Sequence, residues 1–97
     1  MSSTFKIIWT KRARRDLAGI ISNIEERWTS RAVAHFAVEL REVERLIVQH
    51  PFIFQQKEKD SKERRALINN SHIAMTYQVS EYRIEIVSLY DTRQNIE

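Results

Sequence analysis

Cysteine is absent from the 97-residue chain, and glycine and proline occur once each. Without cysteine there is no disulfide framework, no thiolate zinc site and no cysteine nucleophile. With Gly19 as the one glycine, there is no glycine-rich loop to cradle a phosphate. Long apolar runs are missing too. No stretch approaches the roughly 20 apolar residues of a membrane span, and Met1–Ile8 lacks the apolar centre of a signal peptide. Together these absences lead us to expect a cytoplasmic protein without a membrane association. His35, His50 and His72 lie far apart, with no metal-ligand spacing. No motif supports Ser-His-Asp chemistry. Glu25, Glu26, Glu42 and Glu44 fall on polar helix faces, where carboxylates are solvated.

What is present describes an ordinary globule. Hydrophobic residues make up 42% of the chain and charged residues 30%, which argues against disorder. The length allows one modest core, so residues 1–97 are expected to form a single domain. Sixteen Lys and Arg against thirteen Asp and Glu give a formal charge of +3. The distribution says more. Lys6, Lys11, Arg12, Arg14 and Arg15 all precede the first acid, Asp16. Lys57, Lys59, Lys62, Arg64 and Arg65 form a second basic group, diluted by Glu58, Asp60 and Glu63. Two such clusters can attract a phosphate backbone or an acidic partner. Charge alone favours the plainer reading, a solvated surface.

The periodicities predict the elements. Thr4–Trp9 is β-branched and aromatic with alternating polarity, and reads as a strand. Thr10 then caps a helix whose apolar residues are Ala13, Leu17, Ile20, Ile21, Ile24 and Trp28. Arg12, Arg15, Ser22 and Glu26 occupy its other face. Gly19 sits in mid-helix, either as a tolerated weakness or where another helix approaches. Thr29-Ser30 caps a second helix carrying Val33, Phe36, Ala37, Leu40, Val43 and Ile47, which stops near His50 before Pro51. So short a turn makes the two helices an antiparallel hairpin. Phe52–Lys62 has no period and reads as a loop whose aromatics cover the core edge. Three strands follow: 65–68, 73–79 after a turn at Asn69–Ser71, and 82–90 after a turn at Ser80-Glu81. Tyr82, Ile84, Ile86, Ser88 and Tyr90 are expected on one face of the last. The expected fold is α+β: strand, two helices, three strands, with the helical hairpin on one face of a mainly antiparallel sheet.

Of the reactive side chains, Arg65, Tyr90 and Arg93 stand out on and beside this sheet. Arginine binds phosphate through its bidentate fork, and tyrosine stacks on a base or acts as a general acid. The alternative is that the arginines pair with Glu63, Glu85 or Asp91 and Tyr90 packs at a sheet edge. Chemistry alone favours that alternative.

The whole chain resembles the RelE/ParE superfamily of toxins from type II toxin–antitoxin systems. The resemblance is carried by Ile7-Ile8-Trp9-Thr10-Lys11-Arg12-Ala13 with Asp16-Leu17, Ile20, Ile24 and Trp28. It continues through Leu46 with His50-Pro51, Arg65-Ala66-Leu67, Tyr77, and Ile84 through Asn95. It implies a growth-inhibiting, plasmid-stabilising toxin held inactive by a cognate antitoxin, with no cofactor and no metal. The expected assembly is a homodimer or a toxin–antitoxin hetero-oligomer. ParE-like members inhibit DNA gyrase. RelE-like members cleave mRNA on the ribosome, using basic residues and the RNA's own 2′-OH. In the second case Arg65, Tyr90 and Arg93 are the catalytic candidates, with Lys57, Lys59 and Lys62 for target or RNA binding. The chain departs from the nuclease pattern at Ala74, which aligns with a frequent arginine, and in its tail, where only Gln94–Glu97 follow Arg93. The ParE-like reading is therefore preferred, with an inactive antitoxin-binding member as a further alternative.

Overall fold

The computed structural model describes residues 5–27, 29–68 and 72–93. They form β1 (Lys6–Trp9), α1 (Lys11–Arg27), α2 (Ser30–Gln49), β2 (Glu63–Ile68), β3 (Ile73–Ser80) and β4 (Arg83–Asp91). One four-stranded sheet has the order β1-β4-β3-β2. The two C-terminal hairpins are antiparallel, while β1 lies parallel to β4, from Lys6 opposite Arg83 to Trp9 opposite Ile86. The expected α+β order holds. The turn expected at Asn69–Ser71 and the side chain of Trp28 lie outside the described residues.

Both helices cover one face of the sheet. Ala13 of α1 and Phe36, Leu40 and Ile47 of α2 pack with Ala66, Met75, Tyr77, Ile84, Ile86 and Leu89. Burial of these apolar side chains is the main favourable term, each contributing about 1.5–3 kcal/mol for a large residue. Trp9 ties β1 to α2, its indole N–H donating to Glu44 Oε2 at 2.9 Å. Gly19 faces open space, since an added Cβ would meet nothing within 4 Å. Its place in mid-helix is thus a tolerated weakness and not a helix contact.

The helix ends follow the capping residues. Thr29 Oγ1 accepts from the Ala32 amide at 3.3 Å. The His50 amide closes α2 on the Leu46 carbonyl at 2.8 Å, just before Pro51. Thr10 does more than cap. Its Oγ1 accepts from the Ala13 amide at 3.0 Å and donates toward the Ile86 and Val87 carbonyls at 2.9 and 3.1 Å. Six residues later, Asp16 Oδ2 accepts from the Leu89 amide at 3.1 Å. β1 pairs with β4 only as far as Ile86, so these two side chains hold the strand where a neighbour is missing.

Two expectations about the last hairpin are corrected. β3 runs through Ser80, which pairs with Arg83, so the turn is Glu81-Tyr82 and not Ser80-Glu81. Tyr82 sits there at φ 59°, outside the strand. The expected common face of Tyr82, Ile84, Ile86, Ser88 and Tyr90 is also broken. Tyr77 faces Ile86 whereas Thr76 faces Ser88, so Val87 is an extra residue, a β-bulge. Strict alternation therefore shifts by one. Ile84, Ile86 and Leu89 face the helices, while Ser88 and Tyr90 face the opposite, open side.

Replacing Thr10 removes a cap and the side-chain donor to the bulge, while its backbone amide still donates to Ile86 O. Thr10→Ala is expected to lower unfolding free energy by about 2 kcal/mol in urea titrations, with Thr10→Ser keeping most of the stability.

Candidate functional site

β2, β3 and β4 place the candidate residues on the open face through their register. Arg65, Thr76 and Ser88 form one cross-strand row, and Leu67, Ala74 and Tyr90 the next. Arg65 on β2 and Tyr90 on β4 stand on either side of β3, one row apart, and their long side chains reach across that strand. The Arg65 guanidinium donates to the Tyr90 hydroxyl at 3.3 Å. Below them the Thr76 and Ser88 hydroxyls bond to each other at 2.7 Å, both buried, so neither is left as an unpaired polar group. Leu67 and Tyr90 remain 44% and 38% exposed, an apolar and an aromatic rim on either side of Ala74. The face thus offers a cationic fork, a phenol and a small apolar trough.

Arg93 is not part of this pair. Its backbone amide, Nε and Nη2 all reach the Asp91 carboxylate, at 2.8, 3.1 and 3.0 Å. The side-chain hydrogen bond from Arg93 holds the Asp91 carboxyl below the ordinary aspartate range, and the same bond raises the guanidinium. Asp91 is opposite Ile73, whereas Arg65 is opposite Thr76. Three residues along β3 separate the two positions, about 10 Å. The structure therefore joins Arg65 with Tyr90 and gives Arg93 to Asp91, one of the acids expected to pair with it.

The lysine-rich loop runs along the outer edge of β2. The Arg65 amide donates to Gln55 O at 3.1 Å and the Lys57 amide to Glu63 O at 2.7 Å. The Lys57 ammonium lies 3.5 Å from Glu63 Oε1. Lys59 and Lys62 are exposed and, among the described residues, have no carboxylate within ion-pair distance. The loop therefore adds positive charge beside the Arg65 strand.

The sequence placed Arg64 only within the second basic group, with no role of its own. Alternation along β2 turns it away from Arg65, and it pins the segment after α2. It donates to Phe54 O at 2.8 Å, and its guanidinium stands 5.0 Å from the Phe52 ring centroid, a cation–π contact. Tyr77 anchors the same segment from below. Its hydroxyl donates to Pro51 O at 2.9 Å, and Phe54 meets its ring edge-on at 6.5 Å. Burial pushes the Tyr77 phenol up. Phe54 covers the core edge as expected, but Phe52 and Ile53 stand 61% and 50% exposed. With Phe5, Val79 and Tyr82, Phe52 lines a shallow apolar cleft of about 420 Å³.

Among the described residues no three carboxylate or imidazole groups converge to hold a metal ion, and no helix is long and apolar enough to cross a membrane.

A family profile described as the ParE toxin of the type II toxin–antitoxin system, parDE, matches residues 7–96. No curated protein matched the chain. Among solved structures, the chromosomal ParDE toxin–antitoxin system of P. aeruginosa is similar. It has a TM-score of 0.75 and 14% identity over 93% of this chain and 98% of that one. A conserved hypothetical protein of Helicobacter pylori is similar with a TM-score of 0.60 and 17% identity, over 91% and 94% of the two chains. At these identities the structural likeness concerns the fold.

A depressed carboxyl stabilises the folded state above its unfolded pKa, and that contribution is lost as pH falls through the folded value. NMR titration is expected to show Asp91 ionising below the ordinary aspartate range, and Arg93→Ala to move it upward. An Asp91 midpoint unmoved by Arg93→Ala contradicts the pairing. Tyr77→Phe, which leaves Pro51 O without its donor, is expected to lower stability by about 1 kcal/mol in chemical denaturation.

Proposed function

The chain belongs to the ParE toxin family of type II toxin–antitoxin systems, and from that premise we propose that it arrests growth by binding DNA gyrase and is silenced by a cognate antitoxin. The carrying observation is the family match, which spans residues 7–96 and so includes the open face, the lysine loop and all of the apolar cleft but Phe5. The arrangement of arginines supports a binding role over a catalytic one. Phosphodiester cleavage needs several charges converging on one phosphate. Here Arg65 has Tyr90 beside it, but Arg93 is engaged by Asp91. Ala74, buried between Leu67 and Tyr90, supplies no further cation.

The antitoxin is expected as an extended or helical segment that orders on binding. Exposed Phe52, Ile53 and Tyr82 beside the cleft at the end of the hairpin provide apolar anchors for it. An acidic segment would also be steered by the net positive charge of the chain. Assembly as a toxin–antitoxin hetero-oligomer follows from this reading.

A second reading, a ribosome-dependent endoribonuclease, is favoured by one observation: the 3.3 Å Arg65–Tyr90 contact beside exposed Lys59 and Lys62. Both readings are resolved by adding purified chain to a gyrase supercoiling reaction and, separately, to a translating extract read by primer extension. The proposal expects loss of supercoiling, relieved by antitoxin, with intact mRNA. Ribosome-dependent cuts that disappear in Arg65→Ala would establish the nuclease instead. Supercoiling unaffected by a folded chain would contradict the gyrase target.

A further inference from the structure

The basic side chains that open α1 take no part in the contacts that build the core or the open face. Lys11, Arg12, Arg14 and Arg15 are all exposed, and the first turn of the helix has no acidic residue. Arg12 lies 3.6 Å from Asp16. Among the described residues, Lys11, Arg14 and Arg15 have no carboxylate within ion-pair distance. This arrangement works against the helix that bears it. Cations at a helix N-terminus oppose the macrodipole. Lys11 also repels Arg14 and Arg15, its neighbours three and four residues on. A polyanion would relieve both penalties.

The neighbouring surface says which kind. The same side of α1 continues through Ala18, Gly19 and Ser22, all exposed, and the space over Gly19 is open. Among the described residues, the large exposed apolar side chains are Val38, Phe52, Ile53, Leu67, Tyr82 and Tyr90, none of them on α1. Protein interfaces are centred on apolar or aromatic anchors, and single-stranded nucleic acids are held by stacking aromatics. This face has neither. It offers cations followed by small residues, about 16 Å from Lys11 to Ser22 at the rise of an α-helix, before the exposed carboxylates of Glu25 and Glu26 close it. A regular duplex backbone, which needs charge and close approach without pockets, fits that chemistry.

We propose that the exposed face of α1 is a docking surface for the phosphate backbone of duplex DNA, with Lys11, Arg14 and Arg15 as the contacting residues. The contacts carry no base sequence information. They set the chain against DNA by a helix that contributes no residue to the Phe52–Tyr82 cleft, so an antitoxin in that cleft leaves them free. Such docking is separate from gyrase binding and does not require it.

The test is fluorescence anisotropy of a labelled random-sequence DNA duplex titrated with the full chain, with no gyrase or antitoxin present. Between about 50 and about 200 mM salt, log affinity should fall linearly with log salt, with a slope near −2.7 for about three phosphates. The Lys11→Ala/Arg14→Ala/Arg15→Ala variant should lose most of that slope and about tenfold in affinity at the lower salt. Circular dichroism should show it folded and no less thermostable, because like charges have been removed from a helix N-terminus. Arg31→Ala/Arg41→Ala/Arg45→Ala removes the same charge from exposed positions on α2 and should change affinity by less than about threefold. Equal losses in the two variants would overturn the local site in favour of diffuse net charge. Equal affinity for single-stranded RNA or for polyglutamate would overturn the duplex assignment. Absence of salt-dependent binding by the unmodified chain would overturn the surface altogether.

Discussion

The fold depends on how α1 seizes β4 where β1 ends. A strand that loses its neighbour in mid-course exposes backbone donors and acceptors, and an unpaired buried group costs about 1–3 kcal/mol. Here the helix that follows β1 supplies the partners from its own side chains. Thr10 serves the Ile86 and Val87 carbonyls while capping α1, and Asp16 serves the Leu89 amide. Both arrive in place because the cap fixes where the helix starts, and about one and a half helical turns separate Asp16 from that start. Strand end, helix start and bulge are thus a single cooperative unit.

The bulge decides what the open face contains. With regular alternation, Ser88 and Tyr90 would follow Ile84 and Ile86 toward the helices. The extra residue, Val87, lets Leu89 enter the core instead and turns Tyr90 outward to meet Arg65. The apolar core and the polar surface of β4 are therefore set by the same backbone irregularity. It lies beside the candidate site, where bulges commonly re-aim side chains. A binding surface gains from such fixed presentation, because ordering costs on binding are reduced.

Much of this was legible in the residues. Period-2 and period-3.6 patterns gave the element order, Thr10 and Thr29 gave the caps, and Pro51 gave the end of α2. The resemblance of the chain from Ile7 to Asn95 anticipated the family. The phase of β4 was not legible, because no residue in Val87-Ser88-Leu89 signals a bulge and both registers bury plausible side chains. The Glu81-Tyr82 turn was displaced by one residue because Tyr82, a strand former by propensity, adopts a left-handed conformation there. At the candidate site, Arg65 and Tyr90 were named together and are together. Arg93 was named with them, but a carboxylate two residues away proved the stronger partner, as local pairs often do when their geometry is bidentate. The structural role of Arg64 was missed because it was grouped with its basic neighbours, although strand alternation alone sends adjacent arginines to opposite faces.

The most direct test of the account is amide hydrogen exchange at Leu89. That amide lies on the β4 edge beyond the end of β1, where Asp16 supplies its acceptor. The account predicts slow exchange at Leu89 in the unmodified chain. In Asp16→Ala the same amide should become fast while the Tyr77 and Met75 amides, inside the β3 ladder, stay protected. Unchanged protection of Leu89 in a folded Asp16→Ala chain would show that α1 does not hold β4, and would contradict the dependence of the bulge, and of the face it exposes, on that helix.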